Sequence, residues 1–398
     1  MPRFTAFRAL RYAVASDLDA VLAPPYDVLS EAEVTALAGR HPHNIVHVDV
    51  PLVVHASAAD PYAASAQVLR RWVDTGVLVR DDRESLTIHR MRFVDASGAS
   101  RETVGVLGAL EVVAEGAGGV LPHERTTPKA STDRLDLTRA THANLSPVWG
   151  LALAAGLTEA LVEPAEPVGT ASMDGVTHVV ERLTDPARMA AVCSIVGSDD
   201  VLIADGHHRY AVARAFRSEV LVAGDADLAV GADSTLAYVG ELTADQLAIA
   251  AIHRVYRGMR FAHLRAVLAR SFTLSPAPAP SPAIVTEMDR RGALVLLGPD
   301  GAAQWLTPDP ASFSGVRALD GAYLEHALAG TPAQVDYQHG VAETARLVAD
   351  GAADAAVLIR PTSVAEVLRT AREGMLMPPK STFFTPKLPT GLVLRQLG

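Results

Sequence analysis

The segment VLIADGHHRYAVARAF at residues 201–216 brings an acid, two histidines and an arginine together between an apolar run and an alanine-rich run. The apolar run predicts a buried strand over 201–204, and the alanine-rich pattern predicts a helix over about 208–216. A helix that begins directly after a strand presents unpaired backbone N–H groups and the positive end of its dipole. Gly206 lets backbone approach a ligand closely. The junction is therefore a candidate anion site.

The side chains at this junction match the chemistry of such a site. We expect Arg209 to bind an anionic group of a substrate, since a guanidinium forms paired hydrogen bonds with phosphate or carboxylate oxygens. His207 or His208 can transfer a proton near neutral pH, and Asp205 can orient a histidine, act as a base or hold a metal ion. A structural interpretation, in which Asp205 caps the helix and Arg209 is a surface side chain, stays open.

A second polar segment, LPHERTTPKASTDR, leads into a helix predicted over 132–143. His123 and Glu124 form a candidate acid/base pair, and Lys129 and Arg134 supply positive charge. The His–Glu pair is not the H-E-x-x-H zinc motif, because the fifth residue is a threonine. A metal held by protein ligands is therefore not indicated, and its identity stays unknown. The alternative is a solvated loop before a helix.

Only three of the 35 basic residues are lysines, and all three lie in polar segments. Because arginine occupies the other basic positions, each of these lysines either supplies a point charge that arginine cannot replace or remains by chance in an arginine-rich composition, and their polar neighbourhoods favour the first interpretation. Lys380 and Lys387 belong to MPPKSTFFTPKLPTG, whose aromatic and leucine side chains do not suit a disordered tail. We expect a rigid loop that packs back onto the body of the protein, where Lys380, Ser381 and Lys387 complete a phosphate-binding pocket.

Composition limits the classes of function. The 398-residue chain has a formal net charge of −10, which argues against a broad basic surface for nucleic acid. The single cysteine, Cys193, excludes an intrachain disulfide and a thiolate zinc site. No apolar run approaches about 18 residues and no signal region is visible, so we expect a cytoplasmic protein that does not bind membranes. The oligomeric state is not indicated.

The order of helix and strand patterns predicts a mixed α/β fold. We expect an α/β core over 1–270, with an insertion at about 85–195, and a second α/β region over 284–398. The proline-rich segment at 275–283 is expected to be an extended spacer. Capping signals predict three helices: one capped by Ser30 and Glu33 that runs to about Ala38, one from Asp60 to Gly76, and one capped by Ser363 and Glu366 that ends at Gly374. A fourth helix is predicted over 341–350. Alternating patterns and turn residues predict strands with a hairpin over 85–113 and a second hairpin around 299–301.

Several segments together resemble one protein family. APPYDVLS, NIVHVDVP, HERTTPKASTDR, ADGHHRYAVA and MPPKSTFFTPKLPTGLV look like the successive blocks of the domain of unknown function 1015 family, and they span nearly the whole chain. DGHHRYAVA is also similar to the phosphate-handling box of ParB-like and sulfiredoxin-like proteins, which include archaeal free-serine kinases. The P-loop, the G-x-G-x-x-G and G-x-S-x-G motifs and the protein-kinase signatures are absent.

The second resemblance implies a ParB/sulfiredoxin-like core with a large insertion and a C-terminal α/β extension, and phosphoryl chemistry on serine or phosphoserine. We therefore expect a phosphatase or kinase that acts on a small phosphorylated metabolite. If a nucleotide, ATP or ADP, takes part, Mg²⁺ should accompany it. Two alternatives stay open. One is a nucleotide-binding sensor without turnover, and the lower-ranked one is a metal-dependent hydrolase that uses His123, Glu124, Asp205 and His207.

All three hypotheses share one structural prediction. The segments HERTTPKASTDR, DGHHR and KSTFFTPK should converge on one pocket, because each supplies a part of the chemistry that the others lack. Arginine and lysine would bind the anion, and the histidines and carboxylates would move protons.

Overall fold

The structure, a computed structural model, describes residues 1–13, 17–95, 98–122, 131–378 and 380–398. Within these residues the fold is mixed α/β, as the sequence predicts. The chain divides into two compact units. The first contains Met1–Ala248, Ala371–Gly374 and Pro386–Gly398, and the second contains Ile249–Thr370 and Met375–Thr385.

The helices and strands are as follows. Up to residue 248 the helices are α1 (Leu18–Val21), α2 (Glu31–Arg40), α3 (Val46–Asp49), α4 (Pro51–Val54), α5 (Pro61–Asp74), α6 (Ser131–Thr141), α7 (Leu157–Ala160), α8 (Pro186–Val196), α9 (His207–Ala223) and α10 (Ala226–Ala232). The strands there are β1 (Phe4–Thr5), β2 (Leu10–Tyr12), β3 (Leu78–Arg80), β4 (Leu86–Val94), β5 (Ser100–Glu111), β6 (Val120–Pro122), β7 (Ala143–Asn144), β8 (Val148–Ala152), β9 (Glu166–Met173), β10 (Val176–Leu183), β11 (Val201–Asp205) and β12 (Ser234–Glu241). The later helices are α11 (Phe261–Leu268), α12 (Ile284–Arg291), α13 (Asp320–Leu328), α14 (Val341–Ala349) and α15 (Val364–Arg372). The later strands are β13 (Ala248–Ala250), β14 (Ile252–Arg257), β15 (Phe272–Pro276), β16 (Leu294–Leu297), β17 (Ala303–Pro308), β18 (Gln334–His339), β19 (Ala355–Leu358), β20 (Phe383–Thr385) and β21 (Arg395–Gln396).

The observed units and the predicted domains differ in where the chain divides. The first continuous stretch of the first unit runs to Ala248, whereas the predicted core runs to about 270, and the proline-rich segment lies inside the second unit. Two of its residues, Ser275 and Pro276, end β15 and pair with β17. Because β15 is an edge strand, it tolerates a proline that cannot donate a backbone hydrogen bond.

A mixed sheet forms the centre of the first unit. Its described strands follow the order β6-β11-β8-β12-β5-β4-β10-β9, with β1 beside β5. The hairpin predicted over 85–113 is confirmed by the antiparallel pair β4 and β5. The apolar run of β11 is buried because this strand pairs with β6 on one side and β8 on the other. The sheet therefore holds the end of β11, where Asp205 begins the polar segment, on rigid backbone.

The capping signals in the sequence are confirmed. Ser30 accepts a hydrogen bond from the Glu33 backbone, and Glu33 accepts one from the Ser30 backbone, so both ends of the capping box are present at α2. At α5 the Asp60 side chain accepts hydrogen bonds from the backbone N–H groups of Tyr62 and Ala63. The predicted helix after β11 is longer than expected: α9 continues to Ala223 because Val220 extends the buried face one turn beyond Phe216.

The second unit is built on an antiparallel sheet whose described strands follow the order β15-β17-β16-β19-β14-β18. The predicted hairpin around 299–301 is confirmed by β16 and β17. Apolar side chains of this sheet are buried against α11, α12, α13 and α14. None of the described helices of the chain combines the length and the apolar character needed to cross a membrane.

Candidate functional site

The start of α9 depends on a glycine. Gly206 joins β11 to α9 with a φ of 83°, in the left-handed region that side-chain-bearing residues rarely adopt. A Cβ atom there would lie 2.9 Å from Nε of Arg209 and 3.0 Å from its Cζ. Glycine at position 206 therefore allows the left-handed backbone turn and also leaves room for the guanidinium of Arg209. The predicted strand-to-helix junction is confirmed.

Asp205 holds two cations at this junction. Its Oδ2 accepts from Nη2 of Arg209 at 3.3 Å and lies 3.3 Å from Nζ of Lys387. Burial raises the pKa of Asp205, but the charges of Lys387 and Arg209 outweigh burial, so the pKa is lower than usual. The carboxylate is therefore ionised at neutral pH. It suits the positioning of cations better than the uptake of a proton.

Arg209 also lines a cavity beside the junction. Its Nη1 donates to the carbonyl of Pro147, which fixes the direction of the guanidinium. The cavity has a volume of about 50 Å³, and Asp49 and Arg134 line it together with Arg209. Since one water needs about 10–15 Å³ by this measure, the cavity admits a few waters or a group of phosphate size.

Asp49 and Arg134 form a buried pair in this cavity. Nη1 of Arg134 donates to the backbone oxygen of Asp49 at 2.7 Å and to its Oδ1 at 3.0 Å, and Nε donates to Asp133 at 2.8 Å. The guanidinium also lies 4.1 Å from the ring centroid of Tyr26. Burial raises the pKa of Asp49, although Arg134 and Arg209 oppose it. A carboxyl with a raised pKa that lines a cavity is a candidate acid or base.

Asp49 and Tyr26 were not among the site residues predicted from the sequence. Both lie in segments that carry the family resemblance, NIVHVDVP and APPYDVLS, but far along the chain from DGHHR. The apolar residues around Asp49 in the sequence indicate that it is buried, and a buried carboxylate needs a partner. Its partner, Arg134, could be found only in the folded chain.

The histidines of the junction occupy the first turn of α9. His207 and His208 are half-buried there, and successive helix residues point about 100° apart, so the two rings face different directions. His123, Glu124 and Lys129 lie outside the described residues, and their roles stay predictions. Among the residues that the structure describes, no group of three or more His, Cys, Asp or Glu side chains could hold a metal ion.

The C-terminal segment is shared between the two units. Lys387 belongs to the first unit, with Asp205, whereas Lys380 and Ser381 belong to the second. Lys380 is exposed, and its backbone oxygen accepts from Nη1 of Arg254 at 3.1 Å. The Ser381 hydroxyl donates to the carbonyl of Pro378 at 2.7 Å. The predicted role of Lys380 and Ser381 in the phosphate pocket stays a prediction.

A known protein family matches most of the chain, including the segments that form the candidate site. Residues 4–322 match the family described as "Protein of unknown function (DUF1015)". The chain belongs to this family. The match includes Asp49, Arg134, Asp205 and Arg209, and it ends before the C-terminal segment with Lys387. No curated protein is significantly similar to this DUF1015 chain.

Solved structures similar to this DUF1015 chain include a free serine kinase in complex with AMP, at 12% identity and a TM-score of 0.38, covering 69% of this chain and 89% of that chain. A C-terminally truncated SbnI from Staphylococcus aureus matches at 15% identity and 0.40, covering 73% and 87%. A conserved hypothetical protein from Pyrococcus furiosus matches at 11% and 0.39, covering 70% and 92%. At these TM-scores the likeness carries no argument about fold or function.

Proposed function

We propose that this protein is a phosphoryl-transfer enzyme that acts on a small phosphorylated metabolite, with phosphoserine as the first substrate to test. One observation carries the proposal: three cationic side chains and two carboxylates gather at the start of α9, those of Arg134, Arg209, Lys387, Asp49 and Asp205. Phosphoryl transfer needs positive charge around the transferred group and a base in line with it. The choice of serine rests on the sequence resemblance of DGHHR alone.

The cations would bind the phosphate oxygens. Arg209 and Lys387 contact the same carboxylate oxygen of Asp205, so a phosphate bound beside them can interact with both positive charges. Asp205 stays anionic because its pKa is lowered, and it therefore holds the two cations in place. Backbone N–H groups of the first turn of α9 would add to the binding of the anion.

Asp49 is the described carboxyl best suited to act as the base. Its pKa is raised by burial, and it lines the same cavity as Arg209. In hydrolysis, a water oxygen would bond to phosphorus while the bond from phosphorus to the leaving oxygen breaks. Asp49 would take the proton of the water, and His208 would give a proton to the leaving oxygen. Glu124 and His123 are the alternatives from the sequence.

The described carboxylates of this site do not fit a divalent cation. Asp205 is ion-paired with Lys387 and Arg209, and Asp49 is ion-paired with Arg134. A Mg²⁺ ion at either carboxylate would lie beside these positive charges, which repel it. No step of the proposal therefore uses Mg²⁺ held by these side chains.

Binding without turnover is the second candidate, and one observation favours it. The same ion pairs neutralise both carboxylates, and a neutralised carboxylate is a weak base. A phosphate that displaces these contacts would change the surroundings of α9 without chemistry. This arrangement would suit a sensor of a nucleotide or of another phosphorylated molecule.

The test is phosphate release from a panel of phosphorylated metabolites that includes phosphoserine, with parallel assays for ATP-dependent phosphorylation of serine and for binding of ATP and ADP. Arg209→Gln should lower turnover by about 10²–10³, the usual effect of removing one donor to the transferred group. Arg214→Gln is the matched control on α9, because the ion pair of Arg214 with the exposed Glu115 lies outside the proposed site. Turnover that does not depend on Arg209 would refute the proposed site, and nucleotide binding with no turnover would favour the sensor.

A further inference from the structure

The second unit contains a cavity that the proposed phosphoryl chemistry does not use. Its volume is about 250 Å³, and Arg254, Asp289, Asp320, Thr362 and Ser363 are among the residues that line it. A single water needs about 10–15 Å³ by the same measure, so the cavity admits a small organic molecule. Its polar residues fall into two groups, one around Arg254 and one around Asp320.

The first group surrounds Arg254, which is only 4% exposed. Nη1 of Arg254 donates to the backbone oxygens of Ile252 at 2.7 Å and Lys380 at 3.1 Å. Thr362 Oγ1 donates to the backbone oxygen of the next residue, Ser381, at 2.9 Å. This chain of contacts places a buried guanidinium and a threonine on one connected part of the lining.

Ser363 adds a hydroxyl to this part of the lining. Its Oγ accepts from the Glu366 backbone at 3.2 Å at the start of α15, which leaves the hydroxyl proton to donate to a ligand. A guanidinium, a hydroxyl donor and a helix start all favour a negative group. This group of residues therefore suits a carboxylate.

The second group is acidic. Asp320 is 6% exposed and accepts three hydrogen bonds from Arg360, from its backbone N at 2.8 Å, its Nε at 3.0 Å and its Nη2 at 2.5 Å. Asp289 also lines the cavity with an exposed side chain, and the pKa of its carboxyl is raised by partial desolvation and by the charge of Asp320, against the influence of Arg360. Arg360 pairs directly with Asp320 and acts on Asp289 only through its charge. This group therefore suits a cation.

We propose that this cavity binds a free α-amino acid with a small, uncharged side chain. Its carboxylate would contact Arg254 and Ser363, and its ammonium group would contact Asp289. A phosphate is disfavoured because three carboxylates, those of Asp289, Asp320 and Glu366, line the cavity and would repel a dianion. A charged side chain on the amino acid is disfavoured for a related reason: the other charged groups of the lining already have partners. Asp320 pairs with Arg360, and Glu366 pairs with Arg317 and Arg369.

The experiment is calorimetric titration of the full chain with glycine, L-alanine, L-serine and L-valine, and with acetate and ethylammonium as half-ligands. We expect binding of at least one amino acid and about tenfold or more weaker binding of each half-ligand. Asp289→Asn and Ser363→Gly should each weaken binding about tenfold. Glycine is accepted at a helix N-cap, so Ser363→Gly removes the hydroxyl with little loss of the helix start. Asp350→Asn, at an exposed acid of the same unit outside the cavity, is the matched control and should bind as the wild type does.

Three outcomes would overturn the proposal: no amino acid binds at millimolar concentration, binding is the same in Asp289→Asn and Ser363→Gly as in wild type, or acetate or inorganic phosphate binds as tightly as the best amino acid. The proposal does not depend on the phosphoryl-transfer site. Arg209→Gln should leave amino-acid binding unchanged, so the failure of one proposal can be told from the failure of the other.

Discussion

The two units gather charged side chains in different ways. At the start of α9 in the first unit, cations and carboxylates contact one another directly, and the cavity beside them measures about 50 Å³. In the second unit, Arg254 is held by backbone carbonyls and lies 4.8 Å from the ring centroid of Tyr337, and the cavity measures about 250 Å³. The ion pairs of the first region surround a small cavity, whereas the pair of Arg360 with Asp320 in the second unit lines a larger one.

This difference has a consequence for selectivity. A ligand that enters the tight cluster must replace ion pairs, so it needs concentrated charge of its own, as a phosphate has. A ligand of the larger cavity must satisfy a cationic group and an acidic group at once, so it needs two opposite charges on a small frame. We therefore expect each region to reject the ligand of the other.

Of the variants that test this comparison, Gly206→Ala should have the largest effect, and it tests whether close packing against Arg209 defines the first site. The new Cβ would lie 2.9 Å from Nε of Arg209, on a residue with a φ of 83°. Phosphate release should fall about a hundredfold, and urea unfolding should show a loss of about 1–3 kcal/mol. Gly224→Ala, at the other end of α9, is the matched control: its φ is 74°, but apart from adjacent backbone no atom of the described residues would lie within 4 Å of the new Cβ. Equal losses of turnover in both variants would contradict the prediction.

The two C-terminal lysines sharpen the comparison next. Lys387→Ala removes a half-buried charge from Asp205 and should raise KM for a phosphorylated substrate by about ten- to a hundredfold. Lys380 is exposed, and the sequence prediction places it in the same pocket. If that prediction holds, Lys380→Ala should raise KM by only a few-fold, because an exposed charge is screened by salt. A wild-type KM for Lys380→Ala would remove Lys380 from the site.

A smaller effect, on stability, is expected for Asp205→Asn. Because the folded pKa of Asp205 is below the unfolded value, its ionised form stabilises the fold above about pH 4, and this contribution is lost as pH falls through the folded pKa. The variant should be about 1.5 kcal/mol less stable than wild type at neutral pH. Urea unfolding from pH 7 to pH 3 should show this difference shrink. Asp82→Asn, at a largely exposed acid, is the control and should show no measurable difference at any pH.

The smallest effect concerns Ser363 in the second unit. Ser363→Ala removes the cap of α15 and should lower the free energy of unfolding by about 1 kcal/mol, whereas Ser363→Gly should cost only about a few tenths. If the hydroxyl also binds the amino acid, both variants should lose affinity equally. If Ser363→Ala loses more affinity than Ser363→Gly, in parallel with its larger loss of stability, then Ser363 caps the helix but does not bind the amino acid.

Local patterns predicted most of the elements around the candidate site. The strand β11, the capping box of α2, the N-cap of α5, and the hairpins β4–β5 and β16–β17 all depend on residues close together in the chain. Boundaries that depend on packing were less accurate. The helix after β11 was predicted to end near Phe216, and it continues to Ala223 because Val220 finds a buried position.

The sequence by itself determined which residue types could do chemistry, because an acid, a glycine, two histidines and an arginine directly after a strand are visible in the order of the letters. It also determined the family, through segments spread along the chain. Only the tertiary structure decided that Asp49 faces Arg134 and that Lys387 reaches Asp205, across 85 and 182 residues of sequence separation (134 − 49 and 387 − 205). The physical reason is that a charge pair forms where the packing of the sheet and helices brings two side chains within about 4 Å, and no local pattern encodes that approach.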